Sequence, residues 1–196
     1  MIKTGIFGGN FDPIHSGHIA LAMEAKKELK LKKMMIIPTA VPPHKQGGRT
    51  SFEDRYEMCR LAFEGIEGFE VSNIEKVIGG KSYTINTIRA LKQICPADTD
   101  FYLIIGSDSL FCFEQWYRYE AVLKECHVVA AARDEGCYAD MLETANRIGR
   151  VRVLNMPVTE LSSTELRARL KNGESTEGLM PESVIRYIAE RGLYRD

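Results

Sequence analysis

No apolar run in the 196-residue chain is long enough to cross a membrane, and Met1 to Phe7 is too short and too soon broken by glycine for a secretory leader. A cytoplasmic protein is the expectation. An excess of charge of one sign is missing too. The 26 Lys and Arg balance 27 Asp and Glu, and a formal net charge of −1 gives no support to a nucleic-acid surface or a membrane electrostatic anchor. The five cysteines (Cys59, Cys95, Cys112, Cys126, Cys137) are odd in number, scattered and without a C-x-x-C pair. That argues against a disulfide framework or a zinc site and for thiols in a reducing compartment. Cys126 and His127 are adjacent, but they sit where an apolar strand begins, so packing is the better reading than a nucleophile–base pair. No G-x-G-x-x-G follows the first strand and no Gly-Lys-Ser/Thr closes the first turn. The dinucleotide fingerprint and the P-loop are therefore both absent, and with the first goes a hydride-transferring dehydrogenase. Repeats, low-complexity tracts and long linkers are also lacking. With 44% hydrophobic residues, residues 1–196 read as one globular domain with room for a sizeable core.

What is present alternates. Short β-rich runs at Lys3–Phe7, Met34–Pro38, Phe69–Ser72, Phe101–Ile105, Val128–Ala132 and Val151–Asn155 are separated by helical patterns. The helices are expected over Ser16–Leu29, Ser51–Phe63, Thr84–Ile94, Trp116–Lys124, Tyr138–Arg147, Ser163–Leu170 and Pro181–Arg191. Strand–helix repetition predicts crossover units: an α/β, Rossmann-like doubly wound fold with a mostly parallel sheet, helices on both faces and a small C-terminal helical portion. Met34–Ile37 and Tyr102–Ile105 are continuous apolar runs, as strands covered on both sides require. Ligands in such folds bind beyond the carboxyl ends of the strands. Gly8-Gly9, Pro38–Gly48, Gly106-Ser107-Asp108 and Leu161–Thr164 each follow a predicted strand, so four loops could converge on one crevice.

The first of these loops is the most telling. Gly8-Gly9-Asn10-Phe11-Asp12-Pro13-Ile14-His15-Ser16-Gly17-His18 runs from a strand through glycines into a helix starting near Ser16. The glycines let a ligand touch backbone. A helix N-terminus presents outward N–H groups and the positive end of the dipole, which suits phosphate. His15 and His18, three residues apart, are expected to face the same side there. In Pro42-Pro43-His44-Lys45-Gln46-Gly47-Gly48 two stiff prolines present an imidazole and an ammonium, a phosphate clamp with Lys45 as a point charge and His44 as a donor. Ser162 and Glu165 have capping-box spacing, so a second helix N-terminus is expected at Ser162-Ser163, with Arg167 near enough to fork onto phosphate oxygens. Asp108, after the buried fourth strand, is placed to accept from a ribose or an adenine amine, or to help hold Mg²⁺ through water. Trp116, the only tryptophan, and Tyr117 offer flat surfaces for a heteroaromatic ring, and Thr84 near a helix start offers a backbone N–H and a hydroxyl to a carboxylate.

The first loop resembles the G-G-x-F-D-P-x-H-x-G-H signature of the nucleotidyltransferases related to class I aminoacyl-tRNA synthetases, matched at every fixed position. Pro42–Lys45 resembles that family's P-P-H-K stretch, and Leu161–Arg167 its I-S-S-T-x-I-R element. Gly80–Thr84 and Gln115–Tyr117 are similar to segments of the nicotinate-nucleotide adenylyltransferase branch. That branch shows S-Y-T-x-D-T; here Ser82-Tyr83-Thr84-Ile85-Asn86-Thr87 puts an amide where the aspartate stands, keeping hydrogen bonding but not charge. Ser107 stands where relatives often carry alanine. The resemblance runs from Ile2 to the last helix.

The resemblance implies adenylyl transfer from ATP to nicotinate mononucleotide, giving nicotinate adenine dinucleotide and pyrophosphate, with Mg²⁺ bound to the ATP phosphates and no metal-ligating residue of the protein's own. It implies His15, His18, Lys45 and Arg167 as catalytic groups. ATP would be held by Gly8, Gly9, Phe11, His18, Gly106, Asp108, Ser162, Ser163 and Arg167. The mononucleotide would be held by Asn10, His44, Lys45, Tyr83, Thr84, Trp116 and Tyr117. Neither nucleic acid nor membrane is an expected partner, and a homo-oligomer is compatible with the chain. A sibling transferase acting on nicotinamide mononucleotide or another phosphorylated acceptor is the nearest alternative. A non-catalytic nucleotide-binding protein is further off, because the four phosphate-handling residues are all present.

Overall fold

A computed structural model describes residues 1–43, 50–132, 135–156 and 161–195. Six strands, β1 (Ile2–Gly9), β2 (Lys33–Pro38), β3 (Phe69–Val71), β4 (Thr99–Gly106), β5 (His127–Ala132) and β6 (Val151–Asn155), pair in the order β3-β2-β1-β4-β5-β6. All five pairings are parallel. The connections carry α1 (Ser16–Glu28), α2 (Phe52–Phe63), α3 (Ile74–Ile78), α4 (Thr84–Ile94), α5 (Ser107–Phe111), α6 (Tyr119–Glu125) and α7 (Glu135–Ile148); α8 (Ser163–Lys171) and α9 (Glu182–Arg191) follow the last strand. None of the described helices is long and apolar enough to cross a membrane.

The two-residue period of the strands sorts their side chains into two cores. Phe7, Met34, Ile36, Ile104, Val129 and Ala131 point to one side, against Leu21 and Ala25 of α1, Met58 and Phe63 of α2, Leu166 of α8 and Ile188 of α9. Ile6, Met35, Ile37, Leu103, Ile105 and Val128 point to the other, against Ile85 and Ile88 of α4, Leu110 of α5, Val122 of α6 and Met141 of α7. Burial on both faces is why these strands carry unbroken apolar runs. In mid-β1 a Cβ on Gly5 would come within 2.6 Å of Met34 Sδ and 2.7 Å of Leu31 Cδ1, so a side chain there would force those two buried side chains to shift.

The expected elements all form, with two adjustments. The helix expected over Trp116–Lys124 starts only at Tyr119, because Arg118 takes a left-handed conformation (φ 54°) and Trp116 is extended at the end of a 3₁₀ turn over Phe113–Gln115. Trp116 and Tyr117 therefore sit on a bend rather than on a helix face. Two five-residue helices, α3 and α5, occupy segments where no helix was expected.

The C-terminal helices close onto α2. Asp54, in the first turn of α2 and backed by the Ser51 N-cap, accepts from Ser51 Oγ (2.6 Å), Tyr187 Oη (2.8 Å) and Arg191 Nε (3.2 Å), and Ser183 Oγ donates to Leu61 O (3.2 Å). Burial opposes ionisation of Asp54, but the hydrogen bonds from Ser51, Tyr187 and Arg191, with the Arg191 charge, outweigh it and hold the carboxyl below its ordinary value of 3.8. A carboxyl lowered in the folded state stabilises it fully above the unfolded value and loses that contribution as pH falls through the folded value. Replacing Asp54 by Asn should therefore cost thermal stability at neutral pH, and the gap in Tm between the two proteins should close as pH drops from about 5 towards 3. Thermal melts at three pH values check this; a constant gap would show that the Asp54 charge contributes nothing.

Candidate active site

In this strand order β1 is followed on one side by β2 and on the other by β4, so the connections leave in opposite directions above the β1–β4 pair. There a cavity of about 380 Å³ opens at the carboxyl ends of the strands, where a doubly wound sheet binds its ligands. Its floor is Gly8 and Gly9 from β1 and Ile105 and Gly106 from β4; its walls include Asn10, Phe11, His18, Thr39, Pro42, Pro43, Glu75, Ser82, Tyr83, Thr84, Ser107, Asp108, Trp116 and Tyr117. Three of the four loops expected to converge thus do so. Of the charged or imidazole side chains in this lining, His18 and Glu75 stand towards the β1–β2 side and Asp108 stands beyond β4.

The two histidines of the first loop divide their tasks. His18 lines the cavity, with its ring edge-on to Phe11 at 5.1 Å between centroids. His15 is 1% exposed and lies outside the lining. It is the N-cap of α1: its Nδ1 accepts from the His18 N–H at 3.4 Å, and its ring stacks on that of His18 at 3.6 Å. The two imidazoles share one side as expected, with His18 in the lining and His15 buried against it. The amides of the helix start are partly engaged as well, since Ser16 N donates to Leu179 O (2.9 Å) and His18 N to His15 O (3.0 Å). The expected amide cradle is narrower for that reason.

The chain's last segment grips the same loop from behind. Tyr194 Oη donates to Asp12 Oδ1 at 2.6 Å, and burial together with that bond pushes the phenol well above its ordinary range. Arg167 Nη1 donates to Asp12 O at 2.7 Å and Ser163 Oγ to Pro13 O at 3.0 Å. Ser162 caps α8 by accepting from Glu165 N at 3.1 Å, but Glu165 accepts from Arg169 (3.0 Å) instead of reaching back, so half of the expected capping box forms. Ser163 and Arg167 adjoin the first loop, and neither they nor Ser162 line the cavity. His44 and Lys45 lie outside the described residues.

On the opposite wall the rings of Tyr83 and Tyr117 meet at 4.5 Å, and Trp116 packs on Phe113 at 5.1 Å. Trp116 is half-buried and Tyr117 is 46% exposed, so both keep a free surface towards the cavity. Thr84 is the first residue of α4, and Tyr83 its N-cap. Asn86, the amide standing for an aspartate, is exposed and outside the lining.

Three supporting residues left no signal in the sequence. Tyr194 is one and Glu75 another, each acting far from its own position in the chain. The third is Arg55, 5% exposed, whose Nη1 donates to Asn10 O (2.7 Å) and Nη2 to Thr39 O (2.8 Å), tying the first two loops together. Burial lowers its affinity for the proton, and the Asp12 carboxylate opposes that shift. Cys126 and His127 are remote. They stand where β5 begins, at the other end of the strands, with the thiol donating to Val122 O and pushed up by burial to about 12, and His127 Nε2 3.0 Å from Asp100. They form no dyad.

Comparison with known proteins gives the family and the fold. The profile of the family described as cytidylyltransferase-like matches residues 6–169. Relatives named "Probable nicotinate-nucleotide adenylyltransferase" include one from Dehalococcoides mccartyi, 39% identical and covering 98% of this chain and 97% of its own. Another, from Exiguobacterium sibiricum, is 41% identical and covers 98% and 99%. Among solved structures, nicotinic acid mononucleotide adenylyltransferase of Plasmodium falciparum complexed with NaAD superposes over 99% of this chain and 98% of its own with a TM-score of 0.78, at 18% identity. The same enzyme complexed with APC gives 0.79. At that identity the likeness speaks for the fold.

Replacing Arg55 by Leu would leave the Asn10 and Thr39 carbonyls without their donor. The expected loss is about 2–4 kcal/mol of folding stability, read by urea denaturation. A midpoint equal to that of the parent protein would show that the two loops hold without the guanidinium.

Proposed function

The chain belongs to the cytidylyltransferase-like family and, within it, to the nicotinate-nucleotide adenylyltransferases, and from that premise we propose how its residues act. It transfers the adenylyl group of ATP to nicotinate mononucleotide, giving nicotinate adenine dinucleotide and pyrophosphate. The observation that carries this is the cavity itself, with a glycine floor and His18 at one end, Asp108 beyond β4 and a Tyr83, Trp116, Tyr117 cluster on a separate wall. Two nucleotides joined through phosphate need that bipartite shape.

The 5′-phosphate of the acceptor attacks the α-phosphorus of ATP in line. It is ionised at neutral pH, so the reaction needs no general base. The protein's task is to align the two phosphates and neutralise the charge that gathers between them. Gly8 and Gly9 let the triphosphate lie against backbone, and His18 donates to oxygens about the reacting phosphorus. His15 contributes by holding His18 in place rather than by touching substrate. Arg167 spends one N–H on Asp12 O and one on Thr164 Oγ1, which leaves three for the outer phosphates, with Ser162 and Ser163 beside it at the start of α8. Lys45 and His44 complete the clamp on the acceptor side, where Asn10 also faces. Phe11 and Gly106 shape the adenosine site, and Asp108 accepts from its hydroxyl or amine groups. Trp116 and Tyr117 stack on the pyridine ring, while Tyr83 and Thr84 meet its carboxylate end.

Magnesium enters as part of the nucleotide substrate. A metal carried by phosphates and water needs no protein cage. The two cores that span β1 to α9 support reading residues 1–196 as one catalytic unit. The five thiols, none in a disulfide, fit a cytoplasmic setting.

Incubation of the protein with MgATP and separate acceptors, followed by mass spectrometry, should give nicotinate adenine dinucleotide as the favoured product. A preference for nicotinamide mononucleotide or for phosphopantetheine would reassign the acceptor. His18→Ala should lower kcat by on the order of 10²–10³ with an unchanged thermal melt. Near-normal turnover would remove His18 from the chemistry. Trp116→Ala should raise KM for the acceptor and leave KM for ATP unaltered in steady-state kinetics.

A further inference from the structure

Glu75 has no part in the chemistry assigned above, yet its side chain lines the cavity and both its oxygens are engaged. The segment leaving β2 is held at three successive residues. Thr39 N donates to Gly9 O at 2.9 Å, at the end of β1. Ala40 N donates to Glu75 Oε2 at 3.2 Å. Val41 N donates to Ser82 Oγ at 3.0 Å, while Val41 O accepts from Ser82 N at 2.9 Å. The other oxygen of Glu75, Oε1, accepts from Thr87 Oγ1 at 3.0 Å, in the first turn of α4. One carboxylate therefore spans two walls. One wall continues into Pro42 and Pro43, and the other carries Tyr83 and Thr84; all four residues line the cavity.

The element that presents Glu75 cannot hold that span unaided. Helix α3 has five residues, no side-chain cap at Asn73 and one buried residue, Ile74. Val77 is 71% exposed, and Gly79 and Gly80 follow at φ +72° and +68° with open space around them. So short a helix has little stability of its own. Its position is set by Ile74 on the core side, by the exposed Lys76–Glu53 ion pair, and by the two hydrogen bonds of Glu75 on the cavity side.

We infer that Glu75 is a positioning residue for the acceptor nucleotide: by clipping Ala40 to Thr87 it fixes the separation of the two walls that receive the acceptor. The inference rests on the function proposed above. The clip works through geometry rather than charge. A glutamine can reproduce it, since its carbonyl oxygen accepts from Ala40 N and its amide donates to the Thr87 hydroxyl, whose proton turns to Tyr83 O, already 3.5 Å away. An alanine cannot.

The test is steady-state kinetics with MgATP and nicotinate mononucleotide on the parent enzyme, Glu75→Ala, Glu75→Gln and Thr87→Val, with thermal melts alongside. Loss of the clip in Glu75→Ala should raise KM for the mononucleotide about tenfold, with kcat and KM for ATP within about twofold. Glu75→Gln should stay within about threefold of the parent, and Thr87→Val should move the same KM in the same direction as Glu75→Ala. The inference is overturned if Glu75→Ala raises both KM values alike or lowers kcat alone. It is equally overturned if Glu75→Gln matches Glu75→Ala, which would mean that the charge itself meets the substrate. Should Glu75→Ala fail to fold, an unchanged mononucleotide KM in Thr87→Val overturns it instead. A parent enzyme inactive on nicotinate mononucleotide defeats the proposed function and the inference together; normal parent turnover with a flat Glu75→Ala profile defeats the inference alone.

Discussion

Parallel strands joined by right-handed crossovers leave a gap wherever the order of the sheet reverses, and here the reversal falls between β1 and β4. β1 ends at Gly9 and β4 at Gly106, and the chain leaves the two strands in opposite directions with no crossover above them. Everything in the site answers to that gap. α1 begins on one side of it with its histidine cap, α5 begins on the other with Asp108, and the bend at Trp116-Tyr117 forms the far wall. The two cores on either side of the sheet keep its strands in register, so the width of the cavity floor is fixed by packing far from any ligand.

Above that floor the fixing is polar. Arg55 joins Asn10 to Thr39, Glu75 joins Ala40 to Thr87, and Asp12 receives both Tyr194 and Arg167. Each bridge connects backbone or side chains from different loops. A site that works by alignment benefits from such cross-ties, because a misplacement of about 1 Å can cost a factor on the order of 10² in rate. His15 shows the same economy on a smaller scale: one imidazole is buried so that its neighbour three residues on is presented in a single orientation.

Much of the fold was legible because its signals are local. Continuous apolar runs marked β2 and β4, and glycine or proline breaks marked where strands end. Ser51 and Ser162 announced helix starts that they do cap. The failures have physical causes. Five residues make too few turns for a helical period, so α3 and α5 left no pattern. A single left-handed residue, Arg118, cut short the helix that a periodic apolar pattern suggested. In the site, the residues adjacent in sequence, from Gly8 to His18, could be read together. Arg55, Glu75 and Tyr194 could not, for they act on partners 45, 35 and 182 positions away. The spacing of His15 and His18 put both rings on one side, as their stacking shows, but spacing carries no information on which ring is drawn into the cap.

The bond between Tyr194 and Asp12 has an implication for biogenesis. Synthesis delivers Tyr194 182 residues after Asp12, so the loop waits that long for its anchor. At a synthesis rate of about 5–20 residues per second, the interval is on the order of ten seconds or more. During that time β1 to β4 have the material to assemble, but the loop above them lacks its rear support. A nascent fragment that lacks Tyr194 therefore presents the first loop without that hydrogen bond.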